Sequence, residues 1–313
     1  MVAVVRCNGS CENRPRTNEY GGYQSCRVKA ALYSGDTGCS FGCLGCGDCV
    51  AACQFGAGTL EVEKCVFKNL DVKGCSSCLH VNGENCVVKL TDCEMLNNKS
   101  RNNSPSAVCI RMESKGQKLY MNRCLLQGNQ GPSRGMIQFN NANAVAYLND
   151  VTFKDNFTTS SGNAWGVCIH SAGTNICMNN VTSCNNYNTS AAAGNNTLSF
   201  NSDGGWLVIN STIIDKVPKL LRSNGTRKMV LANNILIGTM DPQNLFVITN
   251  EGVFKDMGHN LMSCTSANTN APVSSTTLLG QSETTLGGSY SDNWTASHPY
   301  AVYLWSNALT GFT

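Results

Sequence analysis

Leu119-Tyr120-Met121-Asn122-Arg123-Cys124-Leu125-Leu126 and Ala146-Tyr147-Leu148-Asn149-Asp150-Val151-Thr152-Phe153 are two copies of one pattern. Its core is apolar-x-apolar-x-x-(Cys, Val, Thr or Ile)-x-apolar. The same shape appears at Leu60-Val62-Cys65-Phe67 and Val88-Leu90-Cys93-Met95, and again at Ile176-Met178-Val181-Ser183. It closes with Leu207-Ile209-Thr212-Ile214 and Val230-Ala232-Ile235-Ile237. The seven copies lie between 23 and 31 residues apart, which is the period of a solenoid. Within each copy apolar residues alternate with a period of two, so the unit is a strand. The step of three marks a bend from one strand into the next.

The residue after the second apolar position reads Glu63, Thr91, Asn122, Asn149, Asn179, Asn210 and Asn233. Asparagine tolerates the left-handed backbone of a tight bend, and its amide can bond to the amide one coil away. Asn122, Asn149, Asn179, Asn210 and Asn233 are therefore expected to form an asparagine ladder along the stack. A further strand follows in most copies, as at Cys78–Val81, Val108–Met112, Met136–Phe139, Val167–His170 and Leu198–Phe200. The expected fold is all-β: a right-handed, single-stranded parallel β-helix of about seven coils over 58–262, a rod roughly 35 Å long. Asn-, Ser- and Gly-rich loops of variable length decorate it. Residues 263–313 are Ser/Thr-rich and read either as a cap over the last coil or as a truncated element.

Residues 1–57 differ from this repeat. Eight of the 19 cysteines lie in the first 53 of the 313 residues. Cys43, Cys46, Cys49 and Cys53 have the spacing C-x2-C-x2-C-x3-C, which wraps a loop around an iron–sulfur cluster. Soft iron takes thiolates, and a [4Fe-4S] cubane takes four of them. No second run of that spacing follows, and Gln54 stands where Pro usually ends it. Cys39, Cys26, Cys11 and Cys7 supply further candidate ligands. Disulfides or free thiols are one rival reading and zinc another, though no His lies nearby.

The segment from Val4-Val-Arg-Cys-Asn-Gly through Tyr20-Gly-Gly-Tyr-Gln-Ser-Cys26 to Gly38-Cys-Ser-Phe-Gly-Cys-Leu-Gly-Cys-Gly-Asp-Cys-Val-Ala-Ala-Cys-Gln-Phe-Gly-Ala57 resembles the B subunit of Rnf-type ion-translocating electron-transport complexes. The resemblance covers residues 2–57. It implies a ferredoxin-like module that passes electrons to the other subunits of a membrane complex. The family's membrane anchor and second ferredoxin motif are missing from these residues. The remainder resembles the pectate-lyase-like right-handed parallel β-helix proteins found at the surface of Bacteroides-like bacteria. Gly258-His-Asn-Leu-Met262 looks like their closing coil.

Composition narrows the functions. A net charge of +3 with only 14% charged residues, scattered, gives no footprint for nucleic acid. No apolar run is long enough to span a bilayer, and Met1–Cys7 is too short for a signal peptide, so the chain as written is expected in the cytosol. The Rnf resemblance implies a membrane-associated partner complex, whereas β-helices of this kind more often work at the cell surface or outside it. That conflict suggests a chimeric reading frame joined near Gln54–Gly58.

Three functions follow: an electron-transfer fragment, a non-enzymatic surface β-helix for adhesion or glycan binding, and a polysaccharide lyase or hydrolase. The last needs clustered carboxylates, and Asp150, Asp155 and Asp215 read as isolated turn or surface positions. No cofactor is expected for the β-helix. Alternation around Leu79, Ile110 and Ile169 turns Cys78, His80, Cys109, Arg111, Cys168 and His170 outward, and Cys78, His80 and Cys109 then make a candidate zinc row. Cys65, Cys93 and Cys124 share one inward position and read as small core filler. Trp165 and Trp206 are candidate sugar-stacking rings, or core packing.

Overall fold

The computed structural model describes residues 3–5, 58–73, 76–101, 107–132, 134–159, 166–189, 196–200, 204–223, 229–241, 245–248, 254–264 and 274–280. The cysteines from Cys7 to Cys53, and Trp165, lie outside them. Among the described residues every element is a strand, and every pairing is parallel. These residues form a parallel β-solenoid.

One coil shows the plan. Strand Lys118–Gln127 turns a corner at Arg123, continues as Gln130–Gly131, and reaches Ile137–Phe139 before the next coil starts at Val145. Register is kept residue for residue: Leu119 faces Ala146, Met121 faces Leu148 and Cys124 faces Val151. The strands on either side of the first corner merge into one large sheet. The strands at Leu79–Val81, Ile110–Met112, Ile137–Phe139, Ile169–Ser171, Asn196–Phe200, Lys219–Ser223 and Phe246–Ile248 stack as a separate seven-stranded sheet. The apolar rows from both sheets meet between them in a continuous core. Burying such rows is what drives coils without helices to stack.

Two copies are out of phase with the sequence reading. Ile176 pairs with Trp206, and Trp206 with Met229, so Trp206 and Val208 point inward while Leu207 is exposed. In the next coil Met229 and Leu231 are the buried pair, not Val230 and Ala232. Trp-Leu-Val-Ile and Met-Val-Leu-Ala are apolar throughout, so alternation alone gives no phase.

The corners also shift by one residue. The left-handed residues at the first corner are Lys64, Asp92, Arg123, Asp150 and Asn180, each one position after the expected one. Only Asn210 and Asn233 take that conformation themselves, because their copies carry the one-residue shift. Arg123 reaches the carboxylate of Asp92 in the preceding coil with two hydrogen bonds, at 2.6 and 2.9 Å. The row at Asn122 is linked in sequence. Asn149 donates its side-chain amide to Asn122, Asn179 to Asn149, Asn210 to Asn179 and Asn233 to Asn210, at 2.6–2.9 Å.

A second asparagine row, wholly inside, went unread in the sequence. Asn98, Asn129, Asn156 and Asn186 are fully buried at the second corner. Each follows a left-handed residue: Asn97, Gly128, Asp155 and Asn185 respectively. The main-chain N–H and side-chain amide of each donate to Oδ1 of the next, at 2.9–3.0 Å. The side-chain amides also donate to the carbonyls of Phe67, Met95, Leu126 and Phe153. Corner amides buried this deeply have no strand partner, and the asparagines satisfy them.

The ends of the stack are covered by neighbouring chain. Ala3–Val5 pairs in parallel with Leu60–Val62 of the first coil. Beyond the last complete coil, Phe254–Asp256 pairs with Met229–Leu231, Leu261–Met262 with Ile235–Leu236, and Leu278 bridges to Leu261.

Candidate functional site

The outer face of the seven-stranded sheet carries the densest set of functional side chains. Register aligns His80, Arg111, Gln138, His170, Ser199 and Arg222 as one row. Parallel pairing places equivalent side chains one coil apart, so six coils build one polar strip. His80 is exposed, whereas Gln138, His170 and Ser199 are buried. Beside the strip, Glu113 accepts from Arg111 Nε and, at 3.0 Å, from Asn140 Nδ2, with His80 Nε2 at 3.7 Å. Gln138 Nε2 and Arg134 both donate to Asn140 Oδ1. Burial would push the Glu113 carboxyl up, but its bonds to Arg111 and Asn140 hold it below its ordinary value.

His170 lies deep in the strip. Burial first, then the nearby Arg134 and Arg222 charges, push its pKa down to about 3, so the imidazole is neutral at physiological pH. Among the described residues Gln138 Oε1 and Ser199 Oγ are buried with no hydrogen-bond partner. A buried, unpaired polar atom is costly. The members of the strip that reach the surface are His80, Arg111 and Arg222, and these offer hydrogen-bonding and cationic groups there.

The cysteines meant to share this face do not. Cys109 and Cys168 are fully buried within the core, and Cys78 packs against it. The reason lies at the strand start. Cys78 N and Leu79 N both bond to the Cys109 carbonyl, and Cys109 N and Ile110 N both bond to that of Met136. One acceptor serving two successive amides is a bulge, and it breaks the two-residue period there. Cys78 and Cys109 are thus neighbours at the core, where burial and then the Cys78 thiol raise the Cys109 pKa, whereas His80 is exposed on the other face. Among the described residues no three of His, Cys, Asp and Glu gather into a metal-holding group.

Cys65, Cys93 and Cys124 are buried at one inward position in successive coils. The Cys93 thiol lies 3.3 Å from the carbonyls of Val62 and Thr91, and the Cys124 thiol is 3.5 Å from those of Leu90 and Asn122. Interaction between the two neighbouring thiols lowers the Cys93 pKa and raises that of Cys124. Trp206 is buried in the core, so its ring is closed to a sugar.

Asp150 and Asp155 occupy left-handed turn positions. Asp215 is neither a turn nor a surface residue: it is fully buried and ends the inner asparagine row. Its Oδ1 accepts from the main chain and side chain of Asn186, and its Oδ2 accepts from Ser183 Oγ at 2.5 Å and Thr197 Oγ1 at 2.9 Å. Desolvation raises its pKa to about 6 despite these four bonds. The recurrence of Asn at 98, 129, 156 and 186, always behind Asn, Gly or Asp, was the sequence signal that could have revealed this row.

Comparison with known proteins finds relatives over segments of 56 to 77 residues. The chain is 39% identical over 77 residues to the B subunit of the Na(+)-translocating ferredoxin:NAD(+) oxidoreductase complex of Acetobacterium woodii, covering 25% of this chain and 22% of that protein. It is 39% identical over 74 residues to the B subunit of an ion-translocating oxidoreductase complex of Methanosarcina acetivorans, covering 24% and 27%. A third match, 45% over 56 residues, is the B subunit of the proton-translocating ferredoxin:NAD(+) oxidoreductase complex of Clostridium ljungdahlii, covering 18% and 20%. The chain therefore spans about a quarter or less of the length of these relatives. No family model and no solved structure matches it.

Proposed function

We propose that residues 2–57 form an electron-transfer segment holding a [4Fe-4S] cluster through Cys43, Cys46, Cys49 and Cys53, carried at one end of a β-solenoid. The observation that carries this reading is the 45% identity over 56 residues to an Rnf-type B subunit, joined with the C-x2-C-x2-C-x3-C spacing. Four closely spaced thiolates are the donor set that iron–sulfur chemistry takes, and Cys39, Cys26, Cys11 and Cys7 stand in reserve. A bound cluster would supply one-electron transfer, and the partners would be the other subunits of a membrane complex.

The test is anaerobic purification of the full chain, followed by iron and acid-labile sulfide analysis and electron paramagnetic resonance after reduction. About four irons per chain are expected for one cubane. Colourless, iron-free protein after reconstitution would end the reading. The composite frame near Gln54–Gly58 has a separate test. Sequencing reads that stop at the junction in source DNA support a chimera, and abundant spanning reads refute it.

A second reading concerns the solenoid. The accessible members of the strip, His80, Arg111 and Arg222, suit a polar glycan. Glycan-array binding that His80→Ala and Arg111→Ala both weaken would support it. Binding unchanged by both, or absent, would remove it.

A further inference from the structure

We propose that Cys93 and Cys124 form a modification site: an inter-coil dithiol that a small organic disulfide closes to a Cys93–Cys124 bridge. Both thiols hang from equivalent backbone positions in register. Glu94 pairs with Leu125, and each sulfur lies against the matching carbonyls of its own and the preceding coil. In-register parallel strands hold such Cα atoms about 4.8 Å apart, inside the span that a disulfide bridges. A turn of χ1 at each residue brings the two sulfurs within bonding reach.

The two thiols differ in acidity: the Cys93 pKa is lowered and the Cys124 pKa raised, so Cys93 is the attacking thiolate and Cys124 keeps its proton. The Cys93 thiolate attacks the disulfide RSSR, forming Cys93–S–SR and releasing RS⁻, which takes up the Cys124 proton. Cys124 then attacks the Cys93 sulfur and expels the second RS⁻. Two thiols lose two electrons and two protons, and one RSSR becomes two RSH. Both sulfurs are buried, so exchange runs through local opening of the early coils. Cys65 stands one coil earlier in the same row and is the competing partner.

Trypsin isolates each of these cysteines. Cys93 falls in 90–99, Cys124 in 124–134 and Cys65 in 65–68, each peptide holding one cysteine. The full chain, reduced and freed of reductant, is exposed to oxidised glutathione, quenched with N-ethylmaleimide in denaturant and digested. The expected product is 90–99 joined to 124–134, two hydrogens lighter than the sum and lost on reduction. In Cys124→Ser the expected product is a glutathione adduct on 90–99, because the resolving thiol is gone. Recovery of both wild-type peptides as maleimide adducts only, or a link between 65–68 and 90–99, would overturn the proposal. The readout does not depend on iron, so it stands apart from the cluster reading.

Discussion

Asn186 donates its main-chain N–H and its side-chain amide to one oxygen of Asp215, at 2.8 and 2.9 Å. The acceptor is a carboxylate in a fully buried position where four preceding coils carry asparagine. Burial raises its pKa from 3.8 to about 6, so the folded chain prefers the protonated form. The stability this group contributes is whole below about pH 4 and is lost as pH rises through 6. A shift of this size corresponds to roughly 3 kcal/mol. In Asp215→Asn, Oδ1 still serves Asn186, and the hydroxyls of Ser183 and Thr197 can turn to accept from the new amide. The variant is expected to melt higher than wild type above pH 7, with the gap closing towards pH 4. Thermal melts across that range check this, and a gap independent of pH would refute it.

The two asparagine rows should differ in weight. Asn156→Ala removes the acceptor for two Asn129 donors and leaves Asn186 Oδ1 without its side-chain donor, all out of reach of water. A loss of about 3 kcal/mol is expected. Asn179→Ala removes two amide links, to Asn149 and from Asn210, but at a half-exposed corner where water can replace them, and is expected to cost about 1 kcal/mol or less. Urea unfolding of the two variants side by side measures the difference, and equal losses would contradict the buried row's importance.

Gly128 sits at a left-handed corner with φ of 66°, and a Cβ there would stand 2.3 Å from Asn97 Oδ1. Gly128→Ala meets both the backbone strain and the collision, so a loss on the order of 2 kcal/mol is expected. A denaturation midpoint matching wild type would show that Asn97 moves aside freely.

Replacing Cys43, Cys46 and Cys49 together by Ser should reduce iron per chain to background. The solenoid carries its own core, so its thermal transition should stay where it is. Iron retained by the triple variant would move the ligands to other cysteines.

The solenoid was legible because its inward rows are regular: Leu119 over Ala146 and Met121 over Leu148 recur at coil spacing. Phase failed at Leu207 and Val230, where four successive apolar residues allow either face inward. Cys109 escaped because a bulge is set by carbonyl sharing with Met136, which leaves no trace in residue type. The inner row was hidden by its chemistry. An asparagine reads as surface until corner amides that need it are in view, as with Asn129 and the Met95 carbonyl. The strip holding His170 was visible as a pattern, but the burial of its middle, Gln138, His170 and Ser199, was not.

The inner row has a grammar. From Asn98 onward every link runs the same way, donor to acceptor, towards the C-terminus. Such a sentence can be lengthened by inserting another identical word, so a duplicated coil anywhere between Asn98 and Asn186 leaves its syntax intact. Asp215, having no hydrogen to pass on when ionised, is the full stop. Beyond it the same role moves to the other corner, where Ser211, Asn234 and Asn260 begin a new line. How far the row runs at its own corner is thus written into one residue, and changing that residue is the way to ask whether that row can be made longer.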